Sequence, residues 1–363
     1  MLEDTSYGKL AEKFGAPDST RFLNILKGMY TADECTLLLE LFEPATCAEV
    51  ASRAGMDESS VHDMLESLVD RGSLTKGETQ YGYHKTILAL HHDVVADPAP
   101  MPVPKEITDL WADYFFNEMH EDFFRNYENF TARTGRPMHR VNPAISALEL
   151  SPNINPEDIL PEENFKLTIE NAKRRIVSPC GCRVSWGAGK CDHLVKNTCF
   201  ANFDNDRGVY YLDKPGRALE ELSLEDTLAH VRNLEEAGLV HIDACFCCPD
   251  SCEIMYSLSV KQRWDLLGSS RYIAAVDTEK CSGCQVCVDR CFFDAIEMDK
   301  PEGSKKLKAS IDKEKCMGCG LCVVTCKARA MRLDLDKPPE HIIVQRAPGE
   351  KPPSFAWGFY HLD

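Results

Sequence analysis

Two stretches of this chain, CSGCQVCVDRCFFDAI beginning at Cys281 and CMGCGLCVVTCKARAM beginning at Cys316, share the spacing C-x2-C-x2-C-x3-C. No other feature restricts the fold so tightly. The first copy supplies Cys281, Cys284, Cys287 and Cys291, and the second supplies Cys316, Cys319, Cys322 and Cys326. Three thiolates with two residues between neighbours can wrap one corner of an iron-sulfur cube, whereas the fourth, launched at the start of the following helix, points away from its own loop. Each fourth cysteine is therefore expected to serve the cube of the other copy, and the two loops must fold as one unit. The spacing does not suit a structural zinc site.

These residues resemble the bacterial dicluster ferredoxins over residues 271–335. Carried across by position, the resemblance implies one 4Fe-4S cluster on Cys281, Cys284, Cys287 and Cys326, and a second on Cys316, Cys319, Cys322 and Cys291. The family's proline after each fourth cysteine is replaced by Phe292 and Lys327. A lysine near a reduced cluster stabilises the added negative charge and raises the potential. With every iron held by thiolate there is no spare site for substrate, so the module reads as a wire. Clusters kept only to hold a small fold together are the weaker reading, since one would suffice.

The chain has 363 residues, room for two or three domains, and 18 cysteines. Disulfides in an oxidising compartment and thiolates ligating metal in a reducing one compete to explain that number. The start, MLEDTSYGKLAEKF, carries acids and no apolar signal core, and no apolar run reaches bilayer length. Metal ligation in the cytoplasm, with no membrane span, is the expectation. A formal net charge of −17 argues against a general attraction to phosphate backbones or anionic lipid.

Another eight cysteines lie upstream in a different arrangement. SPCGCRVSWGAGKCDHLVKNTCF supplies Cys180, Cys182, Cys191 and Cys199, and DACFCCPDSCEI supplies Cys245, Cys247, Cys248 and Cys252. Neighbouring side chains diverge, so Cys247 and Cys248 cannot easily face one cube. Either two clusters share the segment or one thiol is idle. One or two further iron-sulfur clusters are preferred, because the adjacent module matures in an iron-sulfur pathway; a zinc site built from Cys180, Cys182, His193 and others is the alternative. Cys248 and Cys252 open a radical S-adenosylmethionine spacing, but Met255 stands where its third cysteine belongs. The Cys-Cys pair is similar to a heterodisulfide reductase motif whose flanking distances disagree. CGCR, the stretch LSLEDTLAHVRNLEEAGLVH and CFCCPDSC ahead of a dicluster module look like a group of multidomain ferredoxin-type proteins of anaerobes, over residues 175–335. That likeness implies an electron-transfer subunit working with a larger oxidoreductase. His193, His230 and His241 are expected to be solvated or core-packed, and Cys35 and Cys47 to be small buried thiols.

Upstream, ADECTLLLELF, TCAEVASRAG closed by Gly55, and DESSVHDMLESLVDRG capped by Asp57 read as three helices, followed by a hairpin turning at Gly77. This pattern, within residues 31–92, resembles the winged-helix family, whose third helix usually reads DNA. Here that helix offers Asp57, Glu58, Asp63, Glu66 and Asp70 against Arg71 alone. Nucleic acid is therefore the unlikely partner, and a redox protein or a second copy of the chain the expected one. DPAPMPVPKE over 97–106 reads as a stiff linker. After it Leu110, Trp111, Tyr114, Phe115, Met119, Phe123 and Tyr127 mark the face of a core helix. SLEDTLAHVRNLEEAG is a further helix, from its cap at Ser223 to Gly238. YIAAV and ASI read as short strands feeding the last cysteine loops. GAGK at 187–190 is no phosphate loop, and no nucleophile has an evident base partner.

The expected fold is α+β: a winged-helix-like domain over 1–96, linker and aromatic helix over 97–139, a cysteine-rich middle domain over 140–270, the dicluster fold over 271–335 and a tail over 336–363. The expected function is an iron-sulfur electron-transfer subunit that shuttles low-potential electrons to or from a partner oxidoreductase in anaerobic metabolism. Two rivals are a reductase with a substrate-binding cluster in the middle domain, and a redox-sensing winged-helix regulator.

Overall fold

The computed structural model describes residues 5–84, 86–96, 99–100, 102–186, 191–193, 195–200, 211–243, 245–301 and 306–342. Parts of the expected linker and most of the expected tail lie outside them, as does GAGK. The fold mixes helices with five two-stranded sheets among the described residues.

At the N-terminal end each helix begins where a side chain can take its orphan backbone N–H groups. Thr31 with Glu34 and Thr46 with Glu49 form capping boxes for Ala32–Leu39 and Cys47–Ala54. Asp57 caps Glu58–Asp70, accepting from the N–H of Ser60. Gly55 closes the middle helix in the left-handed region, at φ 66°. The wing follows as Leu74–Lys76 paired antiparallel with Tyr81–Tyr83, and Ala45 bridges to Tyr81 to extend it. Leu37, Leu38, Val50, Val61, Leu65, Leu68 and Leu74 fill the space between these elements and are wholly buried.

That core does not stop at the wing. It continues into the long helix that follows, through buried Trp111, Tyr114, Phe115 and Met119, and into Cys182, Trp186 and Tyr211 of the middle region. The long helix runs from Lys105 to Thr134, interrupted by a π turn at Phe115–Met119. The extra residue of a π turn rotates the apolar face. Trp186 lies sandwiched between Phe115, at 4.1 Å and 2°, and His91, at 4.5 Å and 14°. Its indole N–H donates to the Ser251 carbonyl at 2.7 Å. One aromatic stack thus joins the helix after the wing, the long helix and the second group of middle cysteines.

The Leu224–Ala237 helix has the expected bounds, with Ser223 capping it and Gly238 closing it at φ 97°. On its inner face buried Glu235 accepts from the N–H groups of Ile145 (2.6 Å) and Ser146 (3.0 Å), first-turn donors that have no partner within the Ile145–Glu149 helix. That helix lies under the last cysteine loop, where the Ala144 N–H donates to the Cys319 carbonyl at 2.9 Å. Val240–Ile242 and Cys245–Cys247 pair antiparallel.

The last module opens with an almost fully buried ion pair, Arg271 to Glu163 at 2.7 Å. Tyr272–Val276 then pairs antiparallel with Met331–Leu335, and Ile296–Asp299 with Lys308–Ile311. The sequence repeat is also a backbone repeat. Gly283 and Gly318 (φ 77° and 68°), Gln285 and Gly320 (67° and 79°), and Asp294 and Arg329 (51° and 50°) adopt matching left-handed conformations at matching positions. Among the described residues no helix is long and apolar enough to cross a membrane.

Candidate metal centres

All 18 cysteines are free of disulfides. In the last module they line two cavities. Cys281, Cys284, Cys287 and Cys326 surround one, with Met298, Ala309 and Met331 as apolar wall. Cys316, Cys319, Cys322 and Cys291 surround the other, with Phe293, Ile296 and Met317. The loops can curl this tightly because glycine stands where a side chain cannot. A Cβ at Gly283 would lie 2.4 Å from the Leu307 carbonyl oxygen, and one at Gly318 would lie 2.1 Å from that of Tyr272. Backbone N–H groups point at the sulfurs: Ala295 donates to Cys291 (3.4 Å), Ala330 to Cys326 (3.3 Å) and Ala274 to Cys316 (3.4 Å). Four thiols around an apolar hollow, with amide donors aimed at the sulfur, fit a 4Fe-4S cluster in donor type and in charge.

The two cavities differ in position. Cys284 is exposed, and its thiol is held below the usual range, chiefly by the Val286 backbone N–H and then by the Ser282 side chain, with the Lys327 charge adding to it. Cys322 is buried, which pushes its thiol well above the usual range. Cys291 and Cys319 pack against the apolar core that also holds Cys199, Cys245, Cys247 and Cys252. Phe292, where the family has proline, packs against that core and against the one beneath the Leu224–Ala237 helix. Phe292 joins the module to the middle region, and Lys327 charges its outer side.

In the middle region the fold sorts seven of the eight thiols into three places and sets Cys180 between two of them. Cys245 and Cys247 share one face of their strand, as alternate residues must. Cys245 lies 4.0 Å from Cys199, and Cys247 interacts with both Cys245 and Cys252. Cys248 turns the opposite way, to within 3.4 Å of Cys191. The neighbouring pair thus faces two different groups. Cys182 is buried beside His92, its sulfur 3.7 Å from Nε2. Cys180, half-buried, packs between the N-terminal core and the core that holds Cys199, Cys245, Cys247 and Cys252.

His92 was not singled out by the sequence, nor was Glu253, whose carboxylate lies 3.3 Å from it. Burial works against a charge on His92, but the Glu253 carboxylate, together with the Cys180 and Cys245 sulfurs, outweighs it and holds the imidazole up at about 10. A His-His pair on the helix after a wing carries no ligand spacing, so only the fold brings these groups to Cys182. His230 Nε2 donates to the Asn197 carbonyl (2.9 Å), while His241 is stacked on Phe246 at 4.7 Å. His193 is half-buried, its Nδ1 3.3 Å from the Cys191 sulfur.

Residues 280–330 match the family model of the 4Fe-4S dicluster domain. The C-terminal module is a 4Fe-4S dicluster domain. Residues 37–78 match the model of the IclR helix-turn-helix domain. No curated protein and no solved structure matches the chain. The dicluster domain makes this an iron-sulfur protein, and domains of this kind serve electron transfer.

The helix-turn-helix match corrects one expectation. Nucleic acid was set aside on the charge of a single helix, whereas the match points to DNA binding. The physical reason lies in what defines the motif: the buried positions and the helix spacing, which this chain keeps. Glu58, Asp63 and Asp70 are indeed exposed on Glu58–Asp70, but the motif also presents the wing and Arg53, an exposed cation of the preceding helix. Charge on one helix does not by itself decide whether a duplex is bound. The far end of that helix is held by the middle region: Tyr211 Oη donates to the Val69 carbonyl, Arg217 donates to the Asp70 carbonyl, and Lys214 pairs with the Asp70 carboxylate at 3.3 Å.

Proposed function

We propose that this chain is a cytoplasmic iron-sulfur electron-transfer protein of anaerobic metabolism, exchanging low-potential electrons with a partner oxidoreductase at the surface around Cys284. The observation that carries this reading is the asymmetry of the dicluster domain, one thiol group open to solvent and the other packed against a third group of thiols. Cys281, Cys284, Cys287 and Cys326 hold the outer 4Fe-4S cluster, Cys316, Cys319, Cys322 and Cys291 the inner one, and Cys199, Cys245, Cys247 and Cys252 a further iron-sulfur centre. When bound, such clusters supply one-electron carriers. The chain's own residues set how readily: the N–H groups of Ala274, Ala295 and Ala330 and the charge of Lys327 favour the more negative, reduced state. Iron and acid-labile sulfide are measured on protein purified without oxygen. About eight of each per chain are expected from the dicluster domain and about twelve with the third group filled. Fewer than about eight iron atoms defeats the dicluster assignment.

A second reading, a redox-sensing regulator, is favoured by the helix-turn-helix match together with the contacts from Tyr211, Lys214 and Arg217. Those contacts give the cysteine-bearing region a hold on the helix that in this motif meets DNA. Its test is retention on duplex DNA at several salt concentrations, in oxidised and reduced protein. A salt-dependent retention that changes with redox state supports it; no retention in either state removes it.

A further inference from the structure

Cys191 and His193 stand two residues apart, as do Cys248 and Asp250, and neither spacing announces a site. The fold makes them one. The Cys191 sulfur lies 3.4 Å from the Cys248 sulfur and 3.3 Å from His193 Nδ1. One ligand atom from each of Cys191, His193, Cys248 and Asp250 falls within 4.8 Å of all the others. A tetrahedral ion with bonds of about 2.3 Å to sulfur and about 2.0–2.1 Å to nitrogen or oxygen holds its donors roughly 3.5 Å apart. Two thiols, an imidazole and a carboxylate at this separation, with no disulfide between the thiols, are the donor set of a single borderline cation. These four residues lie apart from the all-thiol group on the other face of the Cys245–Cys247 segment.

We propose that Cys191, His193, Cys248 and Asp250 bind one divalent cation of the zinc type. The surroundings suit it. Arg183 donates to the Cys191 sulfur at 2.7 Å and reaches the Cys248 sulfur at 4.0 Å, and Ser251 Oγ lies 3.3 Å from the Cys248 sulfur. These are the outer hydrogen bonds that orient ligating thiolates. The charges also close: two thiolates and a carboxylate against a divalent cation leave one negative charge, which the Arg183 guanidinium balances. Four protein donors leave no open coordination position, so the site is structural. It ties the Cys191 loop to the turn after Cys247, holding from behind the strand whose front carries Cys245 and Cys247.

The test uses full-length protein purified without oxygen, analysed for zinc, iron and sulfide beside His193→Ala and Asp250→Ala. Asp250 is exposed, so its variant probes the site even if His193→Ala folds poorly. The wild-type chain is expected to hold about one zinc, with X-ray absorption showing two sulfur neighbours at about 2.3 Å. Both variants are expected to hold zinc(II) against a chelator roughly tenfold or more weakly, with iron and sulfide unchanged. Zinc(II) held against the chelator as tightly as in the wild-type chain in either variant overturns the four-donor site. So does a wild-type chain that neither carries nor takes up zinc(II), a Cys191–Cys248 disulfide in the anaerobic protein, or iron and sulfide lost together in His193→Ala. A chain with zinc but without cluster iron keeps this site and fails the electron-transfer reading, so the two failures are distinct.

Discussion

The dicluster domain and the middle region each carry eight cysteines, yet they bring thiols together by opposite means. In the dicluster domain three of each four come from a single loop, whose left-handed residues at Gly283 and Gln285, or Gly318 and Gly320, fix where the sulfurs point. In the middle region the partners of one thiol come from elsewhere in the chain: Cys199 reaches Cys245, Cys191 reaches Cys248, and Cys182 meets a histidine of the N-terminal domain. Local geometry makes a centre whose ligands can be counted from spacing. Distant assembly makes one whose ligands depend on the whole fold.

The largest effect that would sharpen this contrast is on cluster content. Cys322→Ser removes a buried thiol from the inner cavity, and roughly four of the eight dicluster irons are expected to be lost. Cys35→Ser removes an equally buried but isolated thiol and is expected to leave iron unchanged. Equal iron in both variants, measured beside sulfide, would break the assignment of the inner cavity. Next in size is the neighbouring pair. Cys247→Ser is expected to lower iron by about four per chain without touching zinc, and Cys248→Ser to lower zinc without touching iron. If both variants lose the same metal, the segment serves one centre.

What the sequence made legible follows the same line. The twin spacing identified the dicluster domain because each loop's geometry is written in its own residues. The Ser223 helix and the three capped helices before the wing were legible for a similar reason, as caps and closing glycines act over one turn. Sequence reasoning also saw that Cys247 and Cys248 must diverge. It could not name the groups they face, because Cys191 and Cys199 are brought there by long-range packing. It weighed His193 beside the cysteines without the Cys248 thiol that the fold brings to Cys191, and it did not single out His92 or Glu253. The winged-helix shape was legible in periodicity, but the acids of Glu58–Asp70 led away from the DNA binding to which the helix-turn-helix match points. Phe292 and Lys327 were seen as departures; only the fold explains Phe292, which is a contact between regions.

Smaller than the cluster losses is a backbone effect that separates loops under constraint from loops that are free. Gly318 and Gly135 share φ 68°, but a Cβ at Gly318 would strike the Tyr272 carbonyl, while one at Gly135 meets nothing within 4 Å. Gly318→Ala is expected to destabilise the dicluster domain by on the order of 3 kcal/mol, seen as a lower melting temperature and faster loss of cluster absorbance. Gly135→Ala, which bears only the left-handed strain, costs about 1 kcal/mol. Equal losses would mean that the cysteine loop is looser than its contacts imply.

The smallest effect concerns pH and again divides the two regions. No histidine lies between residues 271 and 335, whereas the middle region buries His241 between Phe165 and Phe246, with ring centroids at 4.1 and 4.7 Å. Burial drives its imidazole down from the usual 6.5 to about 4, against a smaller opposing pull from Asp243. The unfolded chain accepts a proton that the folded chain refuses, so stability falls as pH drops below about 6.5, and the loss levels off below about 4. At pH 5 the middle region is expected to be roughly 2 kcal/mol less stable than at neutral pH on this account. His241→Gln is expected to flatten that slope whatever it does to stability at neutral pH. Denaturant unfolding followed at Trp186 and Trp264, both packed near the middle cysteines, reads the change. An unchanged slope in His241→Gln would assign the acid sensitivity to other groups of the middle region, such as the ion-paired carboxylates of Glu149, Glu221 and Asp265.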